Sequence, residues 1–333
     1  MQGPLVRRAN CGQNSDIVAN DQSSRWRKWP AAAIKLAIVV LIVWFIRGTL
    51  ADAWRQLGQY AWHFDPAWLM LSGGLYLAGV FACGLFWHRV LLALGQDAGL
   101  AETLRAYYIG HLGKYVPGKA MVVILRTGLI RSHRVDAALA AVSVFFETLT
   151  MMAVGAFLSA AVVAIWFSQQ SLLFWASVAM MLVSGIPTLP PVFRRLVRLA
   201  GARKWGPGAD EKLATLGYGI TLTGWVLTSL GWVLLGLSLW AVLKSMGAAE
   251  TNPLAQLHLY VASVSLATVA GFASFVPGGA VVREAVLTEL IAPQFGGAAA
   301  LIGALLLRLV WLVSELVISG ILYFVARQHA PPD

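Results

Sequence analysis

Charge is scarce in this chain. Of 333 residues, only 12% are Asp, Glu, Lys or Arg, about half the share in a typical soluble domain. Cysteine is scarcer still, with only Cys11 and Cys83 present. Cys11 falls in a polar N-terminal arm and Cys83 inside an apolar run. This pattern excludes a disulfide framework and a cysteine metal site. The sequence also has no H-E-x-x-H spacing, P-loop, G-x-S-x-G or Asp-rich motif for prenyl diphosphate chemistry. No catalytic residue, metal or cofactor is therefore assigned, and primary energy coupling within the chain is not expected. His88, His111, His133 and His258 read as interfacial or packed residues.

Apolar residues are abundant, at 59% of the chain. Several runs approach or exceed the ~20 residues that cross a bilayer. They lie at 31–46, 67–94, 137–166, 171–190, 214–243 and 296–326. The net charge of +10 does not point to nucleic acid, because the basic residues sit between these runs. That is how cytoplasmic loops facing anionic lipid are charged. Residues 1–30 read as a disordered basic cytoplasmic arm, and 31–330 as one transmembrane domain. Trp26, Trp29, Trp62, Trp68, Trp87, Trp166 and Trp205 stand near run ends, where an aromatic belt would place them.

The positive-inside rule orients the runs. The basic arm is placed inside and the acidic 48–66 segment outside. Arg89 and Arg105 return the chain inside, as do Arg131, His133 and Arg134 after the next region. The uncharged Ser168-Gln169-Gln170 connection is outside. The 191–213 loop, with Arg194, Arg195, Arg198, Arg203, Lys204 and Lys212, is inside. Both termini are expected to be cytoplasmic.

Two regions resist this scheme, and they resemble each other. "GHLGKYVPGKAMVVILRTGLI" begins at Gly110 and "GFASFVPGGAVVREAVLTELI" at Gly271. Each breaks at Val-Pro-Gly and then carries charge on an apolar run. Proline cannot continue the helical hydrogen-bond ladder, and glycine tolerates unusual backbone angles. A half-helix starting after such a break offers free N–H groups and a positive dipole end, which suits a phosphate or carboxylate. The apolar part before Pro117 is too short to cross, so the first region reads as re-entrant. The run 257–276 is long enough to cross alone, so both readings of the second region stay open.

Each break is flanked by long runs, and the two sets enter from opposite sides. The expected fold is an all-α polytopic bundle with two inverted repeats, about 67–166 and 214–326, each holding a Pro-Gly-broken re-entrant region. Glu147 lies 30 residues after Pro117, and Arg308 lies 31 after Pro277. Two readings fit these midspan charges: a buried Glu147–Arg308 pair pinning the repeats together, or a polar cavity serving a proton or lipid path. Arg283 and Glu284 read as a second candidate pair. The candidate ligand-binding residues are Lys114, Pro117, Gly118, Lys119, Arg126, Glu147, Pro277, Gly278, Gly279, Arg283, Glu284, Arg308 and Glu315.

"GKYVPGK" with Arg126, Glu147 in its run, and "VPGGAVVREA" with Arg308 together resemble the flippase-like family, also called the lysylphosphatidylglycerol synthase transmembrane-region family. The resemblance covers about 35–326. One departure stands out: Thr148 follows Glu147, where many members carry arginine. The resemblance implies a bacterial inner-membrane protein that moves or presents a lipid with an anionic or aminoacylated head group. A lipid-modifying enzyme enters as a partner in the scaffold reading below. The soluble aminoacyl-transferase domain of some members is absent, so synthase activity is not implied. Two rivals remain at this point: a membrane transferase acting on a lipid phosphate, and a scaffold for such an enzyme.

Overall fold

The computed structural model describes residues 64–116, 120–131, 134–166, 171–199, 209–274, 276 and 279–328. The arm, the 31–46 run and the break residues Pro117, Gly118, Lys119, Pro277 and Gly278 lie outside the described residues. So do the outside connection 168–170 and the loop residues Arg203 and Lys204. The described residues are helical, with short 3-10 turns and no strand among them.

Helix α1 (Pro66–Ala93) starts where Asp65 accepts the Ala67 N–H at 2.9 Å and Pro66 takes the first helical position. Its partner is α8 (Tyr218–Ser245). The two run antiparallel with a contact every seventh residue. The Asp65 N–H donates to the Ser245 carbonyl at 3.0 Å. The Ser72 and Ser238 hydroxyls each donate to the other's carbonyl, at 2.9 and 3.0 Å. Gly79 and Gly231 meet backbone to backbone, and the Phe86 ring lies over Gly224. Small residues at the crossing let the backbones approach, which is how helices associate where lipid removes the hydrophobic drive.

Around this pair stand two helical hairpins, each followed by a long helix. The first hairpin is α2 (Leu100–His111), a 3-10 turn at Leu112–Tyr115, and α3 (Ala120–Ile130); α4 (Ala137–Trp166) follows. α2 and α3 have 12 and 11 residues. At 1.5 Å per residue they are roughly 18 and 17 Å long, well short of the ~30 Å hydrocarbon core. The second hairpin is α9 (Leu257–Ala273) and α10 (Val282–Phe295), followed by α11 (Gly297–Gln328). With its leading 3-10 turn, α9 forms a 21-residue apolar segment, long enough to cross. The two breaks therefore interrupt unequal hairpins. α3 packs on α4, as α10 packs on α11. α4 packs on α8 and α9, while α11 packs on α1 and α2.

The 171–190 run divides. α5 (Ser171–Gly185) ends in a 3-10 turn, and the chain bends by 68° into α6 (Pro190–Leu199). The sequence suggested a plain loop from 191, but Phe193 and Val197 share a face and are buried there. A short helix, α7 (Ala209–Ala214), follows. Among the described residues, five helical segments are long and apolar enough to cross a membrane, or six if α5 and α6 act as one bent span. Large apolar side chains cover the outside, including Met70, Leu172, Trp175, Leu309, Val313 and Ile321. A water-soluble surface rarely exposes so much, whereas lipid requires it. Trp87 is not part of a belt: it is fully buried and donates to Ser143 Oγ at 2.8 Å.

Candidate functional site

Three buried charge groups lie along the packed hairpins and long helices. The first belongs to the first half. Arg126 on α3 donates from Nη1 to Glu147 Oε2 at 2.7 Å, and Tyr107 donates its hydroxyl to Oε1 at 2.7 Å. Glu147 is 1% exposed and Arg126 2%. The guanidinium lies 3.8 Å from the Tyr107 ring centre and 5.6 Å from that of Trp87. Gly110 leaves space for Arg126 to pass between α2 and α3. Of the helix face formed by Ser143, Glu147 and Thr150, only Glu147 joins the pair. Thr150 bonds back to the Phe146 carbonyl.

The second group belongs to the second half, where Arg308 on α11 donates to Glu284 in the first turn of α10. Its side chains are 28% and 11% exposed, so water reaches this pair more than the first. Glu284 Oε2 has no hydrogen-bond partner among the described residues. The expected Glu147–Arg308 pair is therefore replaced: each half closes its own pair, because each hairpin lies against the long helix that follows it. Arg283 does not pair with Glu284 either. Adjacent residues on a helix point in different directions, and the Arg283 guanidinium lies 4.3 Å from the Trp311 ring centre. Among the described residues, no carboxylate lies within ion-pair distance of Arg283.

The third group joins the halves. Lys114, on the 3-10 turn before the first break, pairs with Glu315 on α11. Tyr76 on α1 donates its hydroxyl to the same carboxylate oxygen, and Lys114 Nζ donates to the Tyr76 hydroxyl at 3.3 Å. Glu315 is 1% exposed, and its Oε2 has no hydrogen-bond partner among the described residues. Tyr76 stacks on Trp311 at 4.4 Å between ring centres. Trp311 thus lies between Tyr76 and Arg283. His111 links this group to the first: Arg126 Nη2 donates to its Nδ1 at 3.4 Å, and its Nε2 stands 3.8 Å from Glu315 Oε1.

The structure thus brings together Lys114, Arg126, Glu147, Arg283, Glu284, Arg308 and Glu315. Gly279 lies at the second break in the left-handed region (φ 63°), packed against Gly271. Tyr76, Tyr107, His111 and Trp311 were not anticipated as site residues. Spacing could have found three of them. Tyr107, His111 and Lys114 form one helical stripe, as do Arg308, Trp311 and Glu315. Among the described residues, no group of three His, Cys, Asp or Glu side chains is placed to hold a metal ion.

Residues 32–319 match the family described as the lysylphosphatidylglycerol synthase TM region. The chain belongs to this family. No curated protein sequence matches it significantly. With the long apolar helices, membership makes this an integral membrane protein of a family concerned with lipid modification or flipping.

Proposed function

We propose that the chain is a lipid transporter that moves or presents a phospholipid or a polyprenyl-phosphate-linked lipid. The head group docks between the two broken hairpins, and the acyl chains stay in the bilayer. No bond is made or broken in this reading. One observation carries it: among the described residues no carboxylate lies within ion-pair distance of Arg283, which stands beside the Lys114–Glu315 group where the halves meet. A cation without a counter-charge inside a membrane protein is costly and marks a ligand or transport path. A guanidinium suits phosphate, which it can grip through two parallel bonds.

The reading is also supported by an arrangement that an inverted repeat would produce. The antiparallel seam of α1 and α8 is evenly spaced about Gly79 and Gly231, and each helix pairing in one half has a counterpart in the other. The two ion pairs correspond with their charges exchanged: arginine on the short helix and glutamate on the long one in the first half, the reverse in the second. Such repeats are a common plan for transporters with a midplane site. In this reading the basic α6 segment faces the cytoplasm by the positive-inside rule, and both termini lie on that side of a bacterial inner membrane.

A second reading, a membrane partner for a lipid-modifying enzyme, draws on the family description, which names the TM region of a synthase. Purified chain in vesicles separates the two. A transporter speeds movement of a labelled phospholipid between leaflets without added protein, whereas a partner co-purifies with an enzyme and leaves the lipid where it is.

A further inference from the structure

We propose that Glu315, Tyr76 and Tyr115 form a subsite for a primary ammonium group, occupied in this structure by the chain's own Lys114. The subsite rests on reading this cluster as the head-group site. The Lys114 ammonium pairs with Glu315, donates to the Tyr76 hydroxyl at 3.3 Å, and lies 5.1 Å from the Tyr115 ring centre and 5.9 Å from that of Tyr76. A carboxylate with aromatic faces beside it is the chemistry that recognises ammonium. The receptor groups Glu315 and Tyr76 stand on long helices, while the occupant and the neighbouring Tyr115 share a 3-10 turn at the first break. Glu315 Oε2 is buried with no hydrogen-bond partner among the described residues, so the carboxylate retains an acceptor that Lys114 does not use. An ammonium with three donors on a small ligand can use both oxygens.

The charges around the subsite name the ligand class. Arg283, stacked on Trp311 and through it on Tyr76, is a nearby cation with no carboxylate within ion-pair distance among the described residues. A phosphodiester carrying a primary amine fits both features. Its amine replaces Lys114 at Glu315, and its phosphate takes the freed Lys114 together with Arg283. After the exchange no charge is left without a counter-charge beside it: the ammonium faces Glu315, and Lys114 and Arg283 share the phosphate. A free amine cannot do this in the wild-type protein, because displaced Lys114 would have no anion.

The test is chemical rescue of the full chain purified in detergent. Lys114→Ala leaves Glu315 buried without its counter-charge and lowers the melting temperature. Millimolar ethylammonium should recover most of that loss, and sodium at equal ionic strength should not. The rescue should vanish in Lys114→Ala/Glu315→Gln. Wild-type protein should ignore ethylammonium but be stabilised by glycerophosphoethanolamine more than by glycerophosphoglycerol. Lys114→Met keeps the aliphatic stem and serves if Lys114→Ala does not fold. Absence of rescue in a folded Lys114 variant, rescue that survives Glu315→Gln, or equal stabilisation of wild type by the two head-group analogues overturns the subsite. Loss of vesicle transport with rescue intact would instead count against the transporter reading alone.

Discussion

Replacing Glu147 by glutamine removes the charge that faces Arg126 and little else. Arg126 is 2% exposed, its Nη1 donates to Glu147 at 2.7 Å, and its Nε already lacks a partner. The stranded guanidinium would be buried among Tyr107, Trp87 and His111. Breaking a buried pair from one side costs ~3–5 kcal/mol, while replacing both partners by apolar residues is close to neutral. Glu147→Gln and Arg126→Met should therefore each cost ~3–5 kcal/mol, and Glu147→Leu/Arg126→Met should recover most of that loss. The corresponding changes at Glu284 and Arg308 should cost about 1–2 kcal/mol, between a surface pair and a buried one, because water reaches them. Reversible unfolding of the whole chain in mixed micelles, run as a double-mutant cycle, measures each term. Glu147→Gln and Arg308→Gln should add within ~0.5 kcal/mol, since they belong to separate pairs. Additivity of the Arg126 and Glu147 losses, with strong coupling between Glu147 and Arg308, would refute the reasoning.

Three further outcomes follow. Gly231→Leu should destabilise the chain by at least ~1–3 kcal/mol through overpacking, because a side chain there meets the Gly79 carbonyl and Cys83 Sγ; the unfolding midpoint reads this. Val281 holds φ at 69° at the head of α10, an outlier for a β-branched residue. Relief of ~1–3 kcal/mol of strain, less ~0.5–1 for glycine's entropy, makes Val281→Gly stabilising by about 1 kcal/mol, checked in the same micelles. Single cysteines at the exposed Ala101 and Gln294, in a cysteine-free background, should label from opposite sides of the membrane; labelling from one side removes the inverted repeat.

The long helices were legible because an apolar run of bilayer length admits few alternatives. The 67–94 run is the helix Pro66–Ala93, and 137–166 is Ala137–Trp166. Polar partners were not legible. Glu147 and Arg308 occupy matching positions after the two breaks, which suggested a bond between halves. Pairing instead follows which helices touch, and each hairpin lies against its own long helix. Lys114 and Glu315, 201 residues apart, meet only because α2 and α11 pack together. α6 was hidden for a different reason. Its arginines dominate a composition count, while its two buried positions, Phe193 and Val197, carry the helical period.

The central claim is that the cations where the halves meet bind a lipid phosphate and that the protein moves that lipid across the membrane. The most direct test is transbilayer movement of a labelled phospholipid in vesicles containing purified wild-type, Arg283→Ala, Arg283→Lys and Arg195→Ala proteins, matched for folding. The account predicts transport by wild type, its loss in Arg283→Ala, an intermediate rate in Arg283→Lys, where charge remains but the two-bond grip does not, and a wild-type rate in Arg195→Ala. Wild-type rates in Arg283→Ala, with loss in Arg195→Ala, would contradict it.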